Sequence, residues 1–203
     1  QAYGKYRILP KKEGIDLLSV SGHKIHGPKG VGFLYANKEL ALTPLLYGGA
    51  QEAGRRAGTE NVAGIIGMGT ASDISTAHQK EHTLLQQKLR DHLMNRILSE
   101  IPMTRLNGSR QERLPGNINV SFAGIDSATL IAMLEAKDIY VSGGSACSSS
   151  DPSPSHVLKA IGLSDEMALS AVRITIGHEN TPEEIEETFR QIKDCVHELR
   201  SLA

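Results

Sequence analysis

The sequence predicts an α/β protein. Short β-branched and apolar runs broken by glycine turns fill residues 1–60. Apolar residues at helical spacing dominate from about Val62 to Glu100, and strand and helix patterns alternate from there to the end. With 203 residues, 39% hydrophobic and 22% charged, the chain has material for one large domain or two small ones. A formal net charge of −1 offers no basic surface for nucleic acid or an anionic membrane. No stretch has the length and apolarity of a membrane-spanning helix, and the start shows no signal-peptide pattern. The chain opens Gln1-Ala2-Tyr3-Gly4 without an initiator methionine, which reads as a start inside a domain.

The run Ile15-Asp16-Leu17-Leu18-Ser19-Val20 reads as a buried strand, and Val31-Gly32-Phe33-Leu34-Tyr35 as the next. Gly27, Pro28 and Gly30 force a turn between them. The connecting stretch, Ser21-Gly22-His23-Lys24-Ile25-His26-Gly27-Pro28-Lys29-Gly30, holds a lysine at a strand end beside a serine and a histidine. A lysine amine condenses with a carbonyl, so this arrangement suits a cofactor carrying an aldehyde and a phosphate, as pyridoxal phosphate (PLP) does. The ordinary alternative is a surface hairpin with solvated lysines.

Residues 47–61 are too rich in glycine for a helix interior and too polar for a buried strand. They read as an ordered loop in which Arg55, Arg56 and Thr59 can donate to an anion, with a plain solvated connection as the alternative. Thr59 or Asn61 then caps a helix starting at Val62. Leu85, Leu89, Leu93 and Ile97 recur every four residues beside Leu84, Met94 and Leu98, while Lys80, Glu81, Gln86, Lys88, Arg90 and Asp91 cover the other face. A long helix of this kind bridges two domains, and a boundary near His78 divides the chain into 1–78 and 79–203.

Beyond it, Asn117-Ile118-Asn119-Val120-Ser121-Phe122 alternates with period two and reads as a half-exposed strand. Asp126 caps a helix through Ala136, Ile139-Tyr140-Val141 is a short strand, and residues 171–176 form another. Thr181, with Pro182 after it and Glu184 three residues on, makes a capping box. The last helix carries an apolar stripe of Ile185, Phe189, Ile192, Val196 and Leu199, and its Cys195 reads as structural.

A second chemical centre lies in residues 142–154, where small residues and two prolines surround Cys147 and predict a mobile backbone. A thiol exposed in such a loop is chemically risky, so an idle one is improbable. Zinc suits it poorly, because no second cysteine stands at metal-binding spacing. Cys147 and Cys195 occupy unlike contexts, so no structural disulfide is expected and a reducing cytoplasm is the default location. Arg173, between apolar neighbours on a strand, is a candidate for gripping a substrate carboxylate, with a structural salt bridge as the alternative.

Ser21-Gly22-His23-Lys24 with Gly27-Pro28-Lys29-Gly30, then Arg56-Ala57-Gly58-Thr59-Glu60-Asn61, then Ser145-Ala146-Cys147 resemble the cysteine desulfurases of the NifS/IscS type, in the class V branch of PLP-dependent enzymes. Three separate motifs agree, in the same order and across the whole chain. The resemblance implies the C-terminal part of a fold type I (aspartate aminotransferase-like) large domain in 1–78, and an α+β small domain carrying the cysteine loop in 79–203. It implies that Lys24 carries pyridoxal 5'-phosphate covalently, that Ser21 and His23 contact its phosphate, and that Gly22 is a further cofactor-binding residue. Gln1 would bond the cofactor's ring hydroxyl, and Thr59 would reach the phosphate of the partner subunit's cofactor. Arg173 would hold the substrate carboxylate, and Cys147 would become the persulfide and a candidate transient iron–sulfur ligand, with no resident metal expected.

The implied reaction takes sulfur from L-cysteine, leaves L-alanine, and passes the persulfide to acceptors in iron–sulfur cluster or thio-cofactor synthesis. The serine-rich loop resembles the long-loop subgroup that serves iron–sulfur scaffold proteins. A homodimer of complete units is implied, with no nucleic acid or membrane needed. The family's chains are roughly twice as long, so a partner N-terminal half is expected to supply the remaining cofactor contacts. Selenocysteine lyase, another class V lyase, or a non-catalytic fragment or scaffold docking sulfur acceptors are the alternatives. Lys24, Cys147 and Arg173 together argue against the scaffold, which needs none of them.

Overall fold

The computed structural model describes residues 1–144 and 153–202. Cys147 and the mobility expected of its loop lie outside them. The chain forms two compact units, Gln1–Glu81 and His82–Ala203, dividing shortly beyond the expected boundary at His78.

The first unit opens with a turn and the one-turn helix α1 (Pro10–Glu13), stopped by Gly14 in the left-handed conformation at φ 67°. Strands β1 (Leu17–Ser21) and β2 (Gly32–Ala36) pair antiparallel, from Leu17 opposite Ala36 to Ser21 opposite Gly32. The expectation of a buried strand needs correction, since only Val20 of β1 is buried. Leu17 and Leu34 are 47% and 56% exposed. A ribbon of two strands has no sheet neighbours to cover both faces.

Helix α2 (Val62–Ala77) is capped by Asn61, whose Oδ1 accepts from the Gly64 N–H at 3.1 Å; Thr59 takes no part in the cap. The helical pattern read as one long element is two helices. It breaks at His78, whose φ of −101° and ψ of 6° leave the helical region while its N–H still donates to the Ile74 carbonyl. Helix α3 (Gln79–Glu100) follows.

In the second unit β3 (Thr104–Leu106), β4 (Asn117–Phe122) and β5 (Ala171–Thr175) form an antiparallel sheet in that order. Helix α4 (Ser127–Glu135) starts at Asp126, whose carboxylate accepts from the Thr129 N–H at 2.9 Å. Helices α5 (His156–Ala160) and α6 (Asp165–Leu169) precede β5, and α7 (Pro182–Ser201) ends the chain behind the capping box of Thr181 and Glu184. Ile118, Val120 and Phe122 of β4, with Val172 and Ile174 of β5, pack one sheet face into a core with Leu93 and Ile97 of α3, Leu130 and Leu134 of α4, and Phe189 and Ile192 of α7. Cys195 is fully buried in that core, and burial pushes its thiol pKa up. Burying this apolar face against three helices is the main source of the unit's stability.

Three readings of this region change. Gln86 and Arg90 of α3, assigned to the solvated face, are buried; Arg90 donates to the Leu114 carbonyl and to Asp91. The second face of β4 is not plainly exposed either, because Ser121 is fully buried and its hydroxyl donates to the Met167 carbonyl of α6 at 2.6 Å. Ile139–Val141 forms no strand. Asp138 turns left-handed at φ 59° and the Ile139 N–H returns to the Leu134 carbonyl, so the segment closes α4 before it can extend. Among the described residues no helix is long and apolar enough to cross a membrane.

Candidate active site

Lys24 stands on a 3-10 turn, Gly22–Ile25, directly after β1. The Gly22 N–H donates to the Val31 carbonyl at 2.9 Å and the Gly27 N–H to the Gly22 carbonyl at 3.0 Å, so the turn is tied to the start of β2. His26 ends it in the left-handed conformation at φ 63°. Position 22 is tightly enclosed: a Cβ there would lie 3.0 Å from the Pro28 carbonyl oxygen and 3.1 Å from Val31 Cγ1, so any side chain would have to move its neighbours. Pro28 in turn sits on α2, where a Cβ at Gly67 would come within 2.7 Å of its ring. Gly22 and Ile25 are buried and hold the turn, while Ser21, His23 and Lys24 are exposed. The result is a rigid platform presenting an amine, a hydroxyl and an imidazole to solvent.

Gln1 belongs to the same unit. Its turn is fastened by Tyr3, whose ring meets Phe33 of β2 edge-on at 5.3 Å and whose hydroxyl bonds to Ser72 of α2 at 2.6 Å. Burial in this turn lowers the pKa of Lys5.

Thr59 is exposed in the loop entering α2. Within that loop Glu52, Ala53 and Gly54 are left-handed in succession, at φ 50°, 55° and 76°. A left-handed residue other than glycine costs on the order of 1–2 kcal/mol. The loop is held by the Gly58 N–H donating to Gln51 Oε1 at 3.2 Å and by Arg56 Nη1 donating to the Ala57 carbonyl at 2.7 Å.

An exposed amine on a fixed turn, beside a hydroxyl and an imidazole, fits an aldehyde-bearing phosphate cofactor. The Gly22 backbone lies close against Pro28 and Val31, which holds the turn in place.

Arg173 lies in the second unit, on the sheet face away from the core. Opposite it on β4 is Asn119, and on its other side Ser142 forms a single antiparallel bridge with it. Arg173 Nη2 donates to Ser142 Oγ at 2.8 Å. No carboxylate pairs with this guanidinium among the described residues. A half-buried guanidinium with no counter-ion among those residues is suited to receive a carboxylate from a ligand.

Sequence reasoning missed Ser142 and Asn119. The polar members of the Asn117-Ile118-Asn119-Val120-Ser121 alternation were the available signal, since they mark the face that Arg173 shares. Ser21, Gly22, His23 and Lys24 come together through adjacency, and Gln1 joins their unit through Tyr3.

A single family profile spans both the turn and the arginine. The Aminotransferase class-V family profile matches residues 1–188, and the chain is a member of that family. Over 203 residues it is 46% identical to "Cysteine desulfurase IscS" of Methanosarcina thermophila, covering 100% of this chain and 50% of that one. It is 42% identical over 205 residues to "Cysteine desulfurase IscS" of Rickettsia typhi, again covering 100% of this chain and 50% of the relative. The chain thus spans about half the length of the curated relatives it matches. Among solved structures it superposes on a "NifS-like protein" with a TM-score of 0.86 at 34% identity, covering 97% of this chain and 50% of that one. The NifS-like protein from Rickettsia africae ESF-5 gives 0.87 at 31% identity, covering 96% and 51%.

Proposed function

We propose that this chain carries the lysine, the carboxylate-binding arginine and the acceptor cysteine of a PLP-dependent cysteine desulfurase. The observation that carries the reading is the Lys24 turn, an exposed amine on a glycine-built platform between Ser21 and His23. Similarity to proteins named cysteine desulfurase narrows the class V chemistry to sulfur transfer.

Bound pyridoxal 5'-phosphate would supply the electron sink that makes the Cα proton of an amino acid labile. Ser21 and His23 would hold its phosphate, Gln1 its ring hydroxyl and Lys24 its aldehyde, with Gly22 also at the cofactor. The Lys24 amine would move the Cα proton of the substrate. Arg173 receives the carboxylate of L-cysteine. Cys147 attacks the substrate sulfur, so that the substrate C–S bond breaks, an S–S bond forms on Cys147, and the carbon skeleton leaves as L-alanine.

In this reading 1–78 belongs to the cofactor-binding large domain and 79–203 is the small domain. The working particle is a homodimer of complete units in the cytoplasm, including the N-terminal half of the same enzyme, with Thr59 reaching the partner's cofactor phosphate. The persulfide goes to sulfur-acceptor or iron–sulfur scaffold proteins.

The test is incubation of the intact protein with L-cysteine. Equimolar L-alanine and one extra sulfur on the Cys147 peptide are expected. Cys147→Ser should lose the persulfide and keep the cofactor's absorbance, and a variant that lost the cofactor instead would refute the role given to Cys147.

A further inference from the structure

We propose that Ser142 is the positioning residue of Arg173: its hydroxyl fixes the guanidinium so that one complete edge faces the substrate carboxylate. The proposal rests on the reading of Arg173 given above and adds the residue that orients it.

Three hydrogen bonds join these two residues. The Ser142 N–H donates to the Arg173 carbonyl at 3.1 Å, and the Arg173 N–H donates to the Ser142 carbonyl at 2.6 Å. With the backbones locked as a single antiparallel bridge, Ser142 Oγ accepts from Arg173 Nη2 at 2.8 Å. The backbone pair fixes where the hydroxyl stands, so the hydroxyl can fix the guanidinium.

Asn119, the other neighbour in register, is engaged elsewhere. Its Oδ1 already accepts from Asn107 Nδ2 at 2.7 Å. The direction of that bond is set by its neighbours. Ser121 Oγ spends its proton on the Met167 carbonyl, so it must accept from Asn107 Nδ2, which makes that atom the amide nitrogen. Asn119 therefore turns its acceptor to Asn107, and Ser142 is the side-chain acceptor for Arg173 among the described residues.

The guanidinium geometry gives the tether its consequence. Nη2 carries two N–H groups, one on each side, and Ser142 occupies one of them. One two-pronged edge remains whole, and a carboxylate binds such an edge with both oxygens. Without the hydroxyl the side chain samples other rotamers, and either edge or neither faces the ligand.

The experiment compares Ser142→Ala and Ser142→Thr with the unaltered intact, cofactor-loaded protein. Ser142→Ala should raise KM for L-cysteine about tenfold, the size expected for one hydrogen bond to a charged group, with kcat changed less than about twofold. Ser142→Thr, which keeps the hydroxyl, should restore KM.

A second readout needs no turnover. L-alanine carries the carboxylate and ethylamine does not, and the binding of each is followed by the change in cofactor absorbance. Ser142→Ala should weaken L-alanine by the same factor and leave ethylamine unchanged. Equal weakening of both ligands, an unchanged KM, or failure of threonine to rescue would overturn the proposal. If even the unaltered protein made no alanine from L-cysteine, the desulfurase reading would fall, and the two-ligand comparison would still decide the tether.

Discussion

Gly32 of β2 lies so close to Val20 of β1 that a Cβ at position 32 would stand 2.5 Å from the Val20 carbonyl oxygen. That contact sets the spacing of the ribbon exactly where β1 ends and the Lys24 turn begins. Gly32→Ala must push the strands apart, and overpacking of this kind costs about 1–3 kcal/mol. The intact variant should lose thermal stability and retain less cofactor per protein after dialysis. Full cofactor retention would show that the ribbon spacing does not govern the turn.

Lys24 and Lys29 are both exposed on the same connection, and only Lys24 sits on the turn anchored by Gly22 and Ile25. Borohydride reduction of the intact protein, followed by peptide mass spectrometry, should place the cofactor adduct on Lys24. An adduct on Lys29 would refute the assignment. Lys24→Ala should lose the cofactor absorbance band and lower turnover by several orders of magnitude.

The Thr59 loop carries left-handed strain at Glu52 and Ala53, and the proposed crossing of Thr59 to the partner's site can be tested by mixing variants. If Thr59 serves the partner, a dimer of one Thr59→Ala and one Lys24→Ala subunit places both defects in one site and leaves the other intact. Activity should then rise above that of either variant alone. No rescue on mixing would assign Thr59 to its own subunit's site.

Glu100 joins α3 to α7 by accepting from Arg96 and, at 3.0 Å, from Lys193. These partners lower its pKa from 4.5 to about 2. A carboxylate depressed in the folded state stabilises the fold above its ordinary pKa, and that contribution fades as the pH falls through the folded value. The difference in Tm between the unaltered protein and Glu100→Gln should therefore be constant above about 4.5 and shrink toward about 2. A difference that grew on acidification would contradict the assignment.

Thr181 and Glu184 close the start of α7 from both sides: Thr181 Oγ1 accepts from the Glu184 N–H at 3.2 Å and Glu184 Oε2 accepts from the Thr181 N–H at 3.0 Å. Thr181→Ala should cost about 1 kcal/mol in denaturant unfolding, and Thr181→Ser should restore most of it. Thr181→Ala as stable as the unaltered protein would show that water caps the helix equally well.

What the sequence determined by itself is what neighbouring residues decide. The glycine and proline positions around Lys24 mark a turn because few other residues adopt its backbone. Asp126 and Thr181 announce helix starts because a side-chain oxygen within one turn satisfies the exposed N–H groups. The α7 stripe of Ile185, Phe189, Ile192, Val196 and Leu199 is equally local, and the Lys24 motif was legible for the same reason, its members being consecutive. Tertiary structure decided the rest. Arg90 is buried where the loop carrying Leu114 supplies it an acceptor from outside its own helix. Ile139–Val141 fails to become a strand because the end of α4 claims its first N–H. Arg173 meets Ser142 rather than a carboxylate through a contact between residues 31 apart in sequence. A spacing of that length carries no periodicity to read, and only the isolated bridge from Ser142 to β5 brings the two together.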